Sequence, residues 1–95
     1  MKRVVPKPFP LDPVIRDSAA LGQAVRAART ATELTLVEAA LALGISRQTL
    51  ADLESGKPTV AVGTALRVAN ELGVSLFMAP AQHRERIRRA VLKAG

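Results

Sequence analysis

The sequence predicts an all-α fold of five helices behind a proline-rich amino-terminal arm. Three observations carry that expectation. Apolar residues make up 48% of the chain but aromatic ones only 2%, so the core must be built from Leu, Val, Ile and Ala, side chains that suit packed helices. Helix-capping residues recur at short intervals: Asp17 or Ser18, then Thr35, then Ser46 each precede an apolar-periodic run. Matching stop signals follow at Gly44, at Ser55-Gly56-Lys57-Pro58 and at Gly73. A chain of 95 residues supports one small domain with one modest core.

Pro6, Pro8, Pro10 and Pro13 block a helix and remove sheet donors, so the arm is expected to be extended and ordered only where it docks. The first helix runs from Asp17 or Ser18 to about Thr30, with an apolar stripe at Leu21, Val25 and Ala28. Thr35 opens the second, and Glu38 three residues on completes a capping box. Ser46 opens the third. The fourth spans about Val62 to Leu72, with Val62, Ala65, Leu66, Ala69 and Leu72 expected inward. Val74-Ser75-Leu76-Phe77-Met78 reads as a short strand or a docked tail, and residues 81–93 as a last helix, apolar at Ile87, Ala90, Val91 and Ala94. The expected organisation is an arm (1–16), a helical domain (17–80) and a basic carboxy-terminal helix (81–95).

Formal net charge is +6, and its location is informative. Residues 1–17 hold four bases and two acids, residues 18–80 five of each, and residues 81–95 five bases and one acid. A neutral middle therefore lies between two basic ends, which points to nucleic acid or an acidic partner. A solvated charged face would look the same, so the motif has to decide.

That motif runs from Thr35 to Lys57. Two short capped helices joined by Gly44-Ile45-Ser46 form a helix-turn-helix pattern. Ala40 sits where the helices approach, and Ile45, Leu50 and Leu53 can plug the crossing. On the third helix Leu50 and Leu53 point one way. Arg47, Gln48, Ala51, Asp52 and Ser55 point the other. Arg47 can pair with guanine O6 and N7, and Gln48 with adenine N6 and N7. The Ala51 methyl can touch a thymine methyl. Asp52 can accept from cytosine N4 or orient Arg47. Thr35, Ser46, Thr49, Ser55 and Lys57 suit phosphate oxygens of the DNA backbone.

Residues 20–79 resemble the Cro/CI (XRE) helix-turn-helix family. The pattern is carried by Leu21-Gly22, Arg26, Arg29, Thr35, Ala40, Leu43 through Arg47, Leu50, Leu53 through Lys57, and Leu72-Gly73-Val74. Within that family the stretch from Leu53 to Pro80 is most similar to HipB-type antitoxins, dimeric repressors that pair with a HipA-like kinase toxin. The resemblance implies a homodimer on a near-palindromic DNA operator, a strand at Val74, Ser75, Leu76, Phe77 and Met78 pairing across the dimer, and a structural ion pair between Arg29 and Glu54. The chain departs from the family at Leu36, where a phosphate-contacting Gln is usual, and in its basic 81–95 helix. The arm is left free, wrapped on DNA or laid across the dimer.

Other classes fit less well. No cysteine means no disulfide or thiolate metal site, and a reducing cytosol fits. Lys2 and Arg3 precede prolines rather than an apolar run, so no signal peptide is expected. No window reaches the ~18 apolar residues of a membrane span. No metal or cofactor site and no catalytic group is expected. There is one histidine (His83, expected in solvent among arginines), no glycine-rich phosphate loop, and acids that stand singly; Asp52 and Glu54 are two apart and face different ways. Residues 81–95 carry too small an apolar face for membrane anchoring. The alternatives are a stand-alone regulator of the same family and a protein-interaction adaptor that binds DNA weakly.

Overall fold

The structure, a computed structural model, describes residues 4–94. The parts of the expected arm and terminal helix at 1–3 and 95 lie outside them. Five α-helices form among the described residues: α1 (Ser18–Ala31), α2 (Leu36–Leu43), α3 (Arg47–Glu54), α4 (Val62–Glu71) and α5 (Arg84–Ala94), with a 3-10 turn at Ala81–His83. None is long and apolar enough to cross a membrane.

Local chemistry sets the helix ends. Asp17, not Ser18, caps α1, its Oδ1 accepting from Ala20 N at 2.9 Å. The Ser18 hydroxyl instead donates to the Gly56 carbonyl at 2.9 Å, tying the start of α1 to the chain after α3. At α2 the box closes from both sides: Thr35 Oγ1 accepts from Glu38 N (3.2 Å) and Glu38 Oε1 accepts from Thr35 N (2.9 Å). Gly44 ends α2 with φ of 69°, a left-handed conformation that costs glycine little. Ser46 caps α3 through a 3.0 Å bond from Thr49 N.

The core lies between α1, α2, α3 and α4. Val25, Leu50 and Val68 are its largest fully buried side chains, surrounded by Ala24, Ala39, Ala40, Leu43, Leu53, Ala65 and Ala69. Small residues let short helices approach closely. The tightest approach is at Gly22 of α1. A Cβ there would collide with the Leu53 carbonyl and lie 2.7 Å from the Glu54 carbonyl oxygen, both backbone atoms of α3.

The expected inward face of α4 is corrected. Val62 and Leu66 are exposed (74% and 49%), and Val68 is fully buried instead. Ala65, Val68, Ala69 and Leu72 define the packed face. At ~100° per residue Val62 lies about 70° from its centre and Leu66 about 110°. The apolar spacing was compatible with either phase, and only the neighbours choose between them. The expected strand at 74–78 is also absent among the described residues, where 74–80 has no regular structure. Val74 is buried, and its N–H closes α4 on Ala69 O at 2.8 Å. Ser75 through Met78 are exposed in the single chain, which offers them no partner edge. His83 is half-buried rather than in solvent, and its Nδ1 lies 3.0 Å from Arg86 Nη2.

The arm docks on its own chain. Lys7 N donates to Thr30 Oγ1 (2.9 Å), and Gln23 Nε2 reaches the Pro8 carbonyl (3.4 Å). Further on, Asp12 Oδ1 accepts from Val14 N (2.9 Å) and from Arg88 Nε of α5 (3.0 Å). The arm, residues 74–79 and α5 together line a cleft of about 420 Å³ floored by Ala24.

Two opposite outcomes test the α1–α3 approach. Gly22→Ala should destabilise the domain by about 1–3 kcal/mol through overpacking. Gly63→Ala, where nothing lies within 4 Å of the new methyl, should be neutral or stabilising by up to about 1 kcal/mol. Urea unfolding of both variants measures the contrast. The arm makes a pH-dependent prediction. The Val14 N–H, opposed by desolvation and helped by the Arg88 guanidinium, holds the Asp12 carboxyl below the usual carboxylate range. A depressed folded value means that the link is complete above the ordinary carboxylate value and is lost as pH falls through the lowered one. Amide shifts of Ile87 and Val91 should therefore stay constant from neutral pH to the ordinary carboxylate value and move only below it. In Asp12→Asn they should not follow that titration.

Candidate nucleic-acid interface

The first turn of α3 presents an exposed polar surface on the helix-turn-helix unit. Arg47 and Gln48 open the helix and both are exposed, while Leu50 and Leu53 on the opposite face are buried. The face is narrower than a helical wheel suggests, since Ala51 and Asp52 are half-buried and Ser55 is exposed. Gln48 Nε2 donates to Asp52 Oδ1 at 2.8 Å, and Lys57 Nζ lies 4.0 Å from the same oxygen. Asp52 thus orients Gln48 rather than Arg47, because only Gln48 is one helical turn away at i, i+4. With one N–H so engaged, the Gln48 amide keeps a second N–H and its carbonyl oxygen. That donor–acceptor pair matches adenine N7 and N6.

The polar groups expected at phosphates are distributed around this face. Ser46 is exposed, and its hydroxyl shares a 2.8 Å hydrogen bond with that of Thr49. Ser55 caps the end of α3 and donates to the Asp52 carbonyl at 3.0 Å. Lys57 follows it on the surface. Thr35 stands apart from this group, at the start of α2, with its hydroxyl inside the capping box. Leu36 beside it packs against the core.

Beneath the face lies the ion pair. Arg29 Nε and Nη2 donate to Glu54 Oε2 and Oε1 at 2.6 and 2.9 Å, a bidentate fork with side chains only 10% and 7% exposed. The remaining amino group, Nη1, donates to the Leu34 carbonyl at 2.8 Å. One guanidinium thereby joins the last turn of α1, the end of α3 and the chain leading into α2. Lysine could not make this set, since it has no planar fork.

Two positioning groups are invisible in the sequence. Arg67 on α4 donates to the Leu43 carbonyl at the end of α2 (3.0 Å) and to Glu71 (2.6 Å). The i, i+4 spacing of Arg67 and Glu71 signals their pairing, but nothing local signals the carbonyl. Thr30 is buried and receives the arm, again without a local signal. No group of three or more metal-ligating side chains is assembled among the described residues.

Removing one member of a buried pair strands the other. Glu54→Ala should therefore cost about 3–5 kcal/mol. Chemical denaturation measures it, and an unchanged midpoint would remove the fork from any part in holding α3.

Comparison with known proteins agrees with this geometry. The family described as Helix-turn-helix matches residues 25–77. The chain is 36% identical over 72 residues to an uncharacterized HTH-type transcriptional regulator, y4mF, of Sinorhizobium fredii (strain NBRC 101917 / NGR234), spanning 75% of this chain and 95% of that protein. Among solved structures, a HipB–O2 20mer complex superposes with a TM-score of 0.63 at 22% identity, over 72% of this chain and 94% of that one. A HipA-HipB-O2-O3 complex gives 0.62 at 20% identity, over 72% and 96%. A structure described as MDT Protein gives 0.62 at 22% identity with the same coverage. At such identities the structures speak for the fold, while the sequence matches speak for descent: the chain belongs to the helix-turn-helix family, of the Cro/CI (XRE) type.

Proposed function

We propose that this protein is a sequence-specific DNA-binding transcriptional repressor, not an enzyme, acting in the cytoplasm as a homodimer on a near-palindromic operator. The observation that carries this reading is the exposed start of α3, where Arg47 and Gln48 stand on a helix whose far end is locked by the Arg29–Glu54 fork. Rigid placement matters because bidentate base recognition tolerates little misalignment. In this reading Arg47, Gln48, Ala51 and Asp52 meet base edges. Thr35, Ser46, Thr49, Ser55 and Lys57 meet the phosphate backbone.

Dimerisation brings two recognition helices about 34 Å apart, one turn of DNA. The exposed run Ser75 to Met78, following buried Val74, is the segment that pairs across the dimer as a strand. The arm (1–16), the helix-turn-helix domain (17–80) and the basic helix (81–95) then form one regulator. Its further assignment is to the antitoxin of a toxin–antitoxin pair that represses its own operon and neutralises a HipA-like kinase. The fold shared with HipB, solved in a complex with HipA, supports this.

Fluorescence anisotropy with duplex DNA from upstream of the gene tests the reading. Binding should weaken steeply with salt and resist unrelated competitor DNA. Arg47→Ala and Gln48→Ala should each cost about 1–3 kcal/mol of discrimination, roughly 5- to 150-fold. Binding that is absent, or that ignores both substitutions and the DNA sequence, would instead favour the adaptor. Co-purification with the product of a neighbouring kinase-like reading frame tests the antitoxin assignment separately.

A further inference from the structure

A second basic feature lies away from α3. Val4, Val5 and Lys7 of the arm, the second half of α1 and the start of α2 enclose a shallow recess of about 250 Å³. Lys7, Arg26 and Arg29 line it together with Thr30, Thr35 and Leu36, and no carboxylate among the described residues does. Arg29 is consumed by Glu54 and the Leu34 carbonyl. Lys7 and Arg26 are exposed and have no ion-pair partner among the described residues. The Glu38 carboxylate is turned back onto Thr35 N.

Lys7 is held at this place. Its own N–H is bound to Thr30 Oγ1, and the same hydroxyl bonds the Arg26 carbonyl at 2.9 Å. Pro6 and Pro8 flank it: each ring locks its own φ near −65°, and Pro8 biases Lys7 to extended backbone, so the arm cannot coil away cheaply. Thr30 therefore brings the backbones of both basic residues to one point. Across the recess stands the amino end of α2, with the positive end of its helix dipole, although its capping box already engages the N–H groups of Thr35 and Glu38. Leu36 cannot offer a hydrogen bond there; it packs on the core.

We propose that Lys7 and Arg26 form a second phosphate-binding element beside the start of α2, which grips the backbone of duplex DNA and makes the docked arm part of the DNA-binding surface. This rests on the DNA-binding reading above. Two cations carried by α1 and the arm supply the phosphate contact that apolar Leu36 cannot make. They reach phosphate rather than base, so they add affinity without sequence preference.

Lys7→Gln, Arg26→Gln and the double variant test it by anisotropy across 50–200 mM salt, with operator and scrambled duplexes and with Arg47→Ala run in parallel. In a dimer on its operator each single substitution removes two cations, so it should flatten the log–log salt dependence by about two units, and the double variant by about four. Operator and scrambled DNA should weaken by the same factor, so their ratio stays that of the unaltered protein. Arg47→Ala should instead lose the ratio. A double variant with an unchanged salt slope overturns the inference while leaving the repressor reading intact, provided that Arg47→Ala still abolishes preference. A changed operator-to-scrambled ratio in the double variant also overturns it, since that would mean base contact. An unaltered protein that binds neither duplex overturns both. Circular dichroism checks that the variants are folded, as expected for exposed side chains.

Discussion

The guanidinium of Arg29 holds three pieces of chain in a fixed relation: the last turn of α1, the end of α3 and the carbonyl of Leu34 before α2. The apolar core cannot do this alone. It consists mainly of Ala, Val and Leu contacts, and apolar burial has no direction. Helices of eight residues are not stable in isolation, so α2 and α3 exist only as packed elements. A bidentate fork adds the missing direction. It fixes rotation and register at the end of α3, and the exposed first turn of that helix inherits the precision. Gly22 is the steric condition for the same arrangement, because α1 and α3 touch backbone to backbone there.

A second constraint comes from the proline arm. α1 turns one face toward α3, through Gly22 and Arg29, and toward Gly56 just after it, through Ala19. It turns another, with Gln23, Ala27 and Thr30, toward the arm. Ala27 is buried yet outside the main core cluster, as expected of a residue on that second face. The arm also reaches α5 through Asp12 and Arg88, 76 residues apart. The arm and the carboxy-terminal helix, far apart in sequence, are thus joined in space by this ion pair.

Much of the fold was legible because its boundaries are local chemistry. Asp17, Thr35, Ser46 and Gly44 satisfy orphan backbone groups within a few residues of themselves, and such bonds form wherever those residues occur in that order. Phase was less legible. Val62 and Leu66 share the apolar spacing of α4 with Val68, and the walls of α1 to α3 decide which of them is covered. The candidate site divides the same way. The order Arg47, Gln48, Asp52 is readable, but the pairing of Asp52 with Gln48 depends on the side chains settling into one helical turn. The run 74–78 has strand-like composition, and one chain alone supplies no edge for it.

The sequence by itself determined the class of fold, the caps and stops of its helices, and which side chains open α3. These follow from interactions spanning four residues or fewer. Tertiary structure alone decided where the arm lies, which carbonyls Arg29 and Arg67 capture, and that Thr30 anchors Lys7 beside the start of α2. Each of those joins groups from five to more than twenty residues apart. A buried carbonyl or hydroxyl will accept any donor that packing brings within reach, and nothing in its neighbours along the chain names the donor.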